Sequence, residues 1–125
     1  MTDEALIELA TRYFTALDAR DPDALAAMLS ADSVLTIETH NIRYDGREAI
    51  RALFAERWKG ALRALHHDFT HSPSPSTGRI TSQFTVTYSG PNAGAPKSNA
   101  NVFTMENGEI TMIAVYMSGA NTIKT

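Results

Sequence analysis

The 125-residue sequence contains no cysteine. That excludes a disulfide framework, a thiolate nucleophile and any Cys-ligated metal site. It also fits a reducing compartment, and a cytoplasmic location is expected. No apolar run approaches the ~20 residues of a membrane span, so no membrane association is expected. The opening MTDEALIEL is acidic and already helical in pattern, unlike a signal peptide. Neither sign of charge dominates: 11 Lys and Arg face 14 Asp and Glu, for a net charge of −3. The densest basic stretch (Arg43, Arg47, Arg51, Arg57, Lys59, Arg63) is interleaved with Asp45, Glu48 and Glu56. It reads as a solvated helix face, and nucleic acid is not an expected partner. The sequence has no glycine-rich phosphate loop, no His-x-His or HExxH motif and no serine in a nucleophile-elbow context. His66 and His67 are adjacent and point apart on a strand, whereas His67 and His71 lie ~13 Å apart along it. No metal and no cofactor are expected.

What is present is strong periodicity. Leu6, Leu9, Ala10, Tyr13, Phe14 and Leu17 recur at spacings of three and four and predict an amphipathic first helix, capped by Thr2 or Asp3. Asp21-Pro22 opens a short second helix with Leu25, Met28 and Leu29 on its buried side. Ala31-Asp32-Ser33 breaks it, and Val34 to Thr39 follows as a strand. His40-Asn41 turns the chain into Ile42 to Tyr44. Asp45-Gly46 starts a third helix carrying Ala49, Ile50, Leu53, Phe54, Arg57 and Trp58 on one face, with Gly60 as its stop. From there the period is two. Arg63 to His71 alternates, with Leu65, His67, Phe69 and His71 on one face and His66 and Asp68 on the other, exposed. Ser72 to Gly78 reads as a connector, because proline is disfavoured in a ladder. Arg79 to Tyr88 turns Ile80, Ser82, Phe84, Val86 and Tyr88 one way. Ser89 to Pro96 is a hairpin loop, Ser98 to Met105 a strand, Glu106-Asn107-Gly108 a turn and Glu109 to Ser118 the last strand. Residues 121–125 are expected to fray.

Helices followed by consecutive strands imply an α+β domain, with helices on one face of a largely antiparallel sheet. The length suits one domain, residues 1–125. The last strand is apolar on both sides: Ile110, Met112, Ala114 and Tyr116 on one, Ile113, Val115 and Met117 on the other. A strand of that kind must be covered twice, so a homodimer through the sheet is expected.

Three segments carry a resemblance: ATRYFTALDARDPDALAAMLSADSVL, YDGREAIRALFAERW and NVFTMENGEI. Together they resemble the SnoaL-like, ketosteroid isomerase-like branch of the nuclear transport factor 2-like superfamily over nearly the whole chain. The resemblance implies a cone: a curved mixed or antiparallel sheet wrapped round three N-terminal helices (a cystatin-like architecture), with an apolar pocket at the open end. Relatives include isomerases, dehydratases, epoxide hydrolases, polyketide cyclases and members with no catalysis. The expected ligand is a small hydrophobic molecule. The reaction, if there is one, is proton transfer on a carbonyl or hydroxyl compound by a cofactor-free isomerase, dehydratase or cyclase. The alternative is a non-catalytic module for ligand binding or dimerisation.

The resemblance implies that Tyr13 donates to a developing oxyanion, and that Asn101 stands where the isomerases carry an acidic donor. The plain alternatives are a core tyrosine and a satisfied buried amide. Ile37 falls at the position of the isomerases' aspartate base. Glu38 is one step along, facing away unless a bulge turns it in. His67 offers another base, and His, Tyr and Asn together resemble the dehydratase relatives. Phe54, Trp58, Phe84, Val86, Tyr88, Phe103, Val115 and Met117 are the candidate ligand-binding residues.

Overall fold

In the computed structural model, which describes residues 1–123, the Thr2 hydroxyl accepts from the Ala5 N–H and starts helix α1, Asp3–Ala19. Its apolar stripe of Leu6, Leu9, Ala10, Tyr13, Phe14 and Leu17 is buried. Arg20 ends it in the left-handed region, at φ 54°. The Asp21 carboxylate then accepts from Ala24 N–H and opens α2, Pro22–Ala27. Helix α3, Arg47–Arg57, buries Ile50, Leu53 and Phe54.

Six strands form one open sheet: β1 Leu29–Ile37, β2 Ile42–Asp45, β3 Arg63–Ser74, β4 Arg79–Ser89, β5 Lys97–Glu106 and β6 Glu109–Tyr116. Their order is β2-β1-β6-β5-β4-β3. The β1–β6 pair is parallel and the other four are antiparallel, so the sheet is mixed. Three helices and an unclosed sheet make the expected α+β architecture. The core lies between α1, α3 and the inner sheet face, and Leu6, Leu25, Leu35, Ile50, Ile80 and Ile113 within it are fully buried.

Four expectations are corrected. The first strand begins at Leu29 and ends at Ile37; Glu38–His40 is a 3₁₀ turn. The supposed connector is half strand. Ser72, Pro73 and Ser74 pair with Thr81, Ile80 and Arg79, and Pro73 is tolerated because β3 is an edge strand. Ile110 is fully buried although Met112, with the same parity, is only half-buried. A register shift between Thr104 and Met105 turns the end of β6 inward. Finally, the chain end is held as far as Ile123. Thr122 Oγ1 lies 2.7 Å from Tyr88 Oη, and Ile123 N–H donates to Asn121 Oδ1 at 2.9 Å. The remaining residues expected to fray, 124–125, lie outside the described residues.

Candidate functional site

A cleft opens between α1, the C-terminal end of α3 and the inner face of β3–β6. It encloses about 590 Å³ of empty space when its open mouth is counted. The cleft as a whole has room for only a few water molecules.

Two buried polar groups end inside it without partners. Tyr13 is fully buried, its ring set edge-on to Phe14 and Phe103 at centroid distances of 5.3 and 5.1 Å. Its hydroxyl makes no hydrogen bond. Burial pushes the phenol far above its ordinary range, so it stays a neutral O–H donor. Asn101, on β5, is 3% exposed, and its Oδ1 has no donor. A buried polar group left unpaired costs ~1–3 kcal/mol, and two of them facing one cavity mark where a ligand's polar atoms belong.

The third polar feature was not anticipated. His66 lines the cleft, and its Nδ1 lies 2.6 Å from Asp18 Oδ1. The backbone N–H of His66 also donates to that oxygen, at 3.1 Å. Phe14 and Phe84 flank the imidazole, both at 5.3 Å. Asp18 occupies the last turn of α1, where the helix dipole disfavours a negative charge. The two N–H donors of His66 offset that cost. With Nδ1–H donated to the carboxylate, the tautomer is fixed and the Nε2 lone pair is left free.

This placement reverses the expected parity of β3. Asp68 adopts φ 56°, and the register shifts between His67 and Thr70. Two residues, Asp68 and Phe69, oppose the single Phe84, which is a β-bulge. Before it, Ala64 and His66 face inward and Leu65 faces out, 56% exposed. After it, Phe69 and His71 are turned toward the core side, stacked at 5.3 Å, with His71 Nδ1 2.8 Å from the buried Ser82 Oγ. His67 is on the outer face. Its two ring nitrogens meet Asp68 Oδ2 at 2.9 Å and Thr87 Oγ1 at 2.7 Å. Aspartate tolerates the left-handed region better than most residues, which is the one local hint the sequence held.

The other candidates separate clearly. Glu38 is exposed at the start of the 3₁₀ turn. The irregularity of β1 lies upstream, between Leu29 and Val34, and does not turn Glu38 inward. Ile37 is fully buried. Phe54, Trp58, Phe84 and Val86 line the cleft, as do Tyr88, Val115 and Met117. Phe103 sits behind Tyr13 in the core, away from the wall. Arg20 and Arg57 also line the cleft and were not singled out from the sequence. Among the described residues, no group of three His, Asp or Glu side chains is placed to hold a metal ion, and no helix is long and apolar enough to cross a membrane.

The family model for the SnoaL-like domain matches residues 10–113. The chain belongs to the SnoaL-like family. No curated protein matches it significantly. Among solved structures, this SnoaL-like domain is similar to a candidate polyketide cyclase from Silicibacter sp., with TM-score 0.80 and 22% identity over 98% of this chain and 96% of that one. A candidate polyketide cyclase from Xanthomonas campestris gives 0.78 at 21% identity, over 92% and 91%. An LEH-like epoxide hydrolase from M. tuberculosis gives 0.79 at 18% identity, over 92% and 84%. At these identities the likeness is one of fold, and the chemistry of the SnoaL-like domain has to be argued from its own cleft.

Proposed function

We propose that this SnoaL-like domain catalyses proton transfer on a small apolar carbonyl or hydroxyl compound, as a dehydratase, isomerase or cyclase. The observation supporting this is the Asp18–His66 pair opening on the same cleft as the unpartnered Tyr13 hydroxyl and Asn101 Oδ1. His66 Nε2 takes a proton from the carbon next to a carbonyl. Asp18 stabilises the imidazolium that results. Tyr13 O–H donates to the enolate oxygen, Asn101 Oδ1 accepts from a hydroxyl of the substrate, and surrounding apolar walls strengthen those bonds. The enolate has three exits. It expels a β-hydroxyl that His66 protonates, leaving as water; it takes the proton back at another carbon; or it attacks a second carbonyl of the same molecule, whose oxygen takes the proton back from His66. The first gives an alkene, the second an isomer, the third a ring.

A histidine base also removes a difficulty. The resemblance puts Ile37 where the related isomerases have a carboxylate, and an alkyl chain accepts no proton. The His66 ring supplies that acceptor from the opposite edge of the sheet.

The test is a turnover screen of β-hydroxy ketones, enones and polyketone chains, followed by absorbance at the conjugated carbonyl. Turnover that falls about 100-fold or more in His66→Gln, with the fold retained, supports the reading. Turnover unchanged in His66→Gln removes it. Binding without turnover for every compound supports the non-catalytic alternative.

A further inference from the structure

The cleft wall carries two arginines and, among the described residues, no Asp or Glu. The two differ. Arg20 Nη1 donates to the carbonyls of Trp58 and Gly60 at 2.8 and 2.9 Å, and Nη2 donates to the Leu62 carbonyl. It clamps the end of α3 to the start of β3, and its guanidinium donors are taken up by backbone carbonyls. Arg57 is half-buried beside Trp58 and Tyr88 on the cleft wall. Among the described residues its guanidinium makes no side-chain hydrogen bond and joins none of the ion pairs. The three arginines that form ion pairs among the described residues, Arg43, Arg47 and Arg51, do so at the surface with Asp45, Glu48 and Asp23. Burial, the largest cause, lowers the proton affinity of Arg57; the neighbouring Tyr88 works against this and the like charge of Arg20 adds to it. The chain as a whole is acidic, at net −3, so this local positive field is not part of a general basic surface.

From this placement we infer that the ligand of the cleft carries a carboxylate, held by Arg57 at the mouth while its apolar body and reacting group reach toward Tyr13. Tyr13 is fully buried, whereas Arg57 and Trp58 are half-buried, so the two ends of the cleft differ in depth. A planar guanidinium with free N–H groups matches a carboxylate in bidentate fashion. A phosphate dianion would call for more donors than the one cleft arginine without a partner among the described residues provides, since those of Arg20 are already taken. This specifies the substrate class of the site proposed above, an apolar carboxylic acid, and rests on that cleft being the binding site. It does not depend on the role of His66.

The test uses 3-phenylpropionate and its neutral isostere 3-phenylpropanamide as probes. Trp58 is the only tryptophan, so its indole N–H gives one NMR signal on the cleft wall. The full chain is titrated with each probe, in wild type and in Arg57→Gln, Arg57→Lys and His66→Gln. The acid is expected to bind at least tenfold more tightly than the amide to wild type. Arg57→Gln should bring the acid down to the affinity of the amide and leave the amide unchanged. Arg57→Lys should retain part of the preference, and His66→Gln all of it. Equal affinity for acid and amide in wild type overturns the inference, with no folding question attached. Absence of binding by either probe overturns it too. Equal weakening of both probes by Arg57→Gln shows that the arginine shapes the wall without reading charge, which also overturns it. Acid preference retained alongside failed turnover separates this inference from the catalytic one.

Discussion

Tyr13 sets function against stability within one side chain. Its hydroxyl is fully buried and unpaired, so the folded state bears a desolvation cost that an equally shaped phenylalanine would not. Tyr13→Phe is therefore expected to stabilise the protein by about 1 kcal/mol, a rise in Tm of roughly 3–5 °C by calorimetry. The same variant should lower turnover about 100-fold on any substrate the screen yields. A tyrosine that merely packs in the core would show the first effect without the second. Asp18→Asn tests the other end of the site. An asparagine keeps an acceptor for the His66 N–H groups but no charge for the imidazolium, so kcat should fall by at least tenfold with little change in KM. Equal rates in Asp18→Asn would mean that the carboxylate only anchors the strand.

His71 gives a pH signature at the same scale. Burial lowers its proton affinity below the ordinary histidine value of 6.5. Between the folded value and 6.5 the unfolded chain holds more protons than the folded one. Stability contributed by neutral His71 is thus complete above pH 6.5 and is lost as pH falls through that window. Urea midpoints measured from pH 7.5 to 4.5 should fall less steeply in His71→Asn than in wild type; parallel curves would exclude the assignment.

At the scale of the element, β3 decides which chemistry faces the cleft. Period-two alternation made Arg63–His71 recognisable as a strand, and the helix stripes, the Asp21-Pro22 cap and the Asn107-Gly108 turn were equally open to reading. Those signals are local: each depends on a few residues and on steric rules that hold anywhere. The facing of β3 is different, because one residue with φ 56° reverses every side chain before it relative to those after. Nothing in the alternation of Leu65, His66 and His67 marks that step, so His67 was favoured over His66. Asp18 was hidden for another reason, since 48 residues separate it from His66 and only the packing of α1 on the sheet joins them. Arg57 was placed on the same helix face as Phe54 and Trp58 but counted among the charges of a solvated basic stretch, and no role in the site was drawn from it. The bulge itself is testable. Asp68→Gly should leave stability within about 0.5 kcal/mol, since glycine accepts positive φ. Asp68→Val should cost ~1–2 kcal/mol, the penalty for a β-branched side chain in the left-handed region. If Asp68→Val unfolds at the wild-type urea midpoint, the strand does not need the bulge.

At the scale of the whole molecule, all three helices lie on one side of the sheet, and among the described residues no helix covers the outer face. That face carries most of the polar half of the alternation, with Gln83, Thr85 and Thr87 on β4. It also carries Leu65 on β3, 56% exposed, and Tyr116 on β6, 44% exposed. These are two of only three large hydrophobic residues exposed among those described, the other being Met1. We propose that this face meets the same face of a second copy. A two-fold axis would bring Leu65 and Tyr116 into one isologous contact, in which every contact is made twice. A stable pair of this kind buries on the order of 1,200–2,000 Å², which an open sheet can offer, whereas the cleft side cannot pair without closing its own mouth. Light scattering after size exclusion should therefore give twice the 13.6 kDa mass of the chain at micromolar concentration. The double variant Leu65→Glu and Tyr116→Glu places four like charges at the axis and should run as a monomer. Because both residues face away from the cleft, the Trp58 signal should respond to 3-phenylpropionate in the monomer as it does in the dimer. Wild type that runs as a monomer refutes the pairing, and a double variant that remains dimeric places the interface elsewhere.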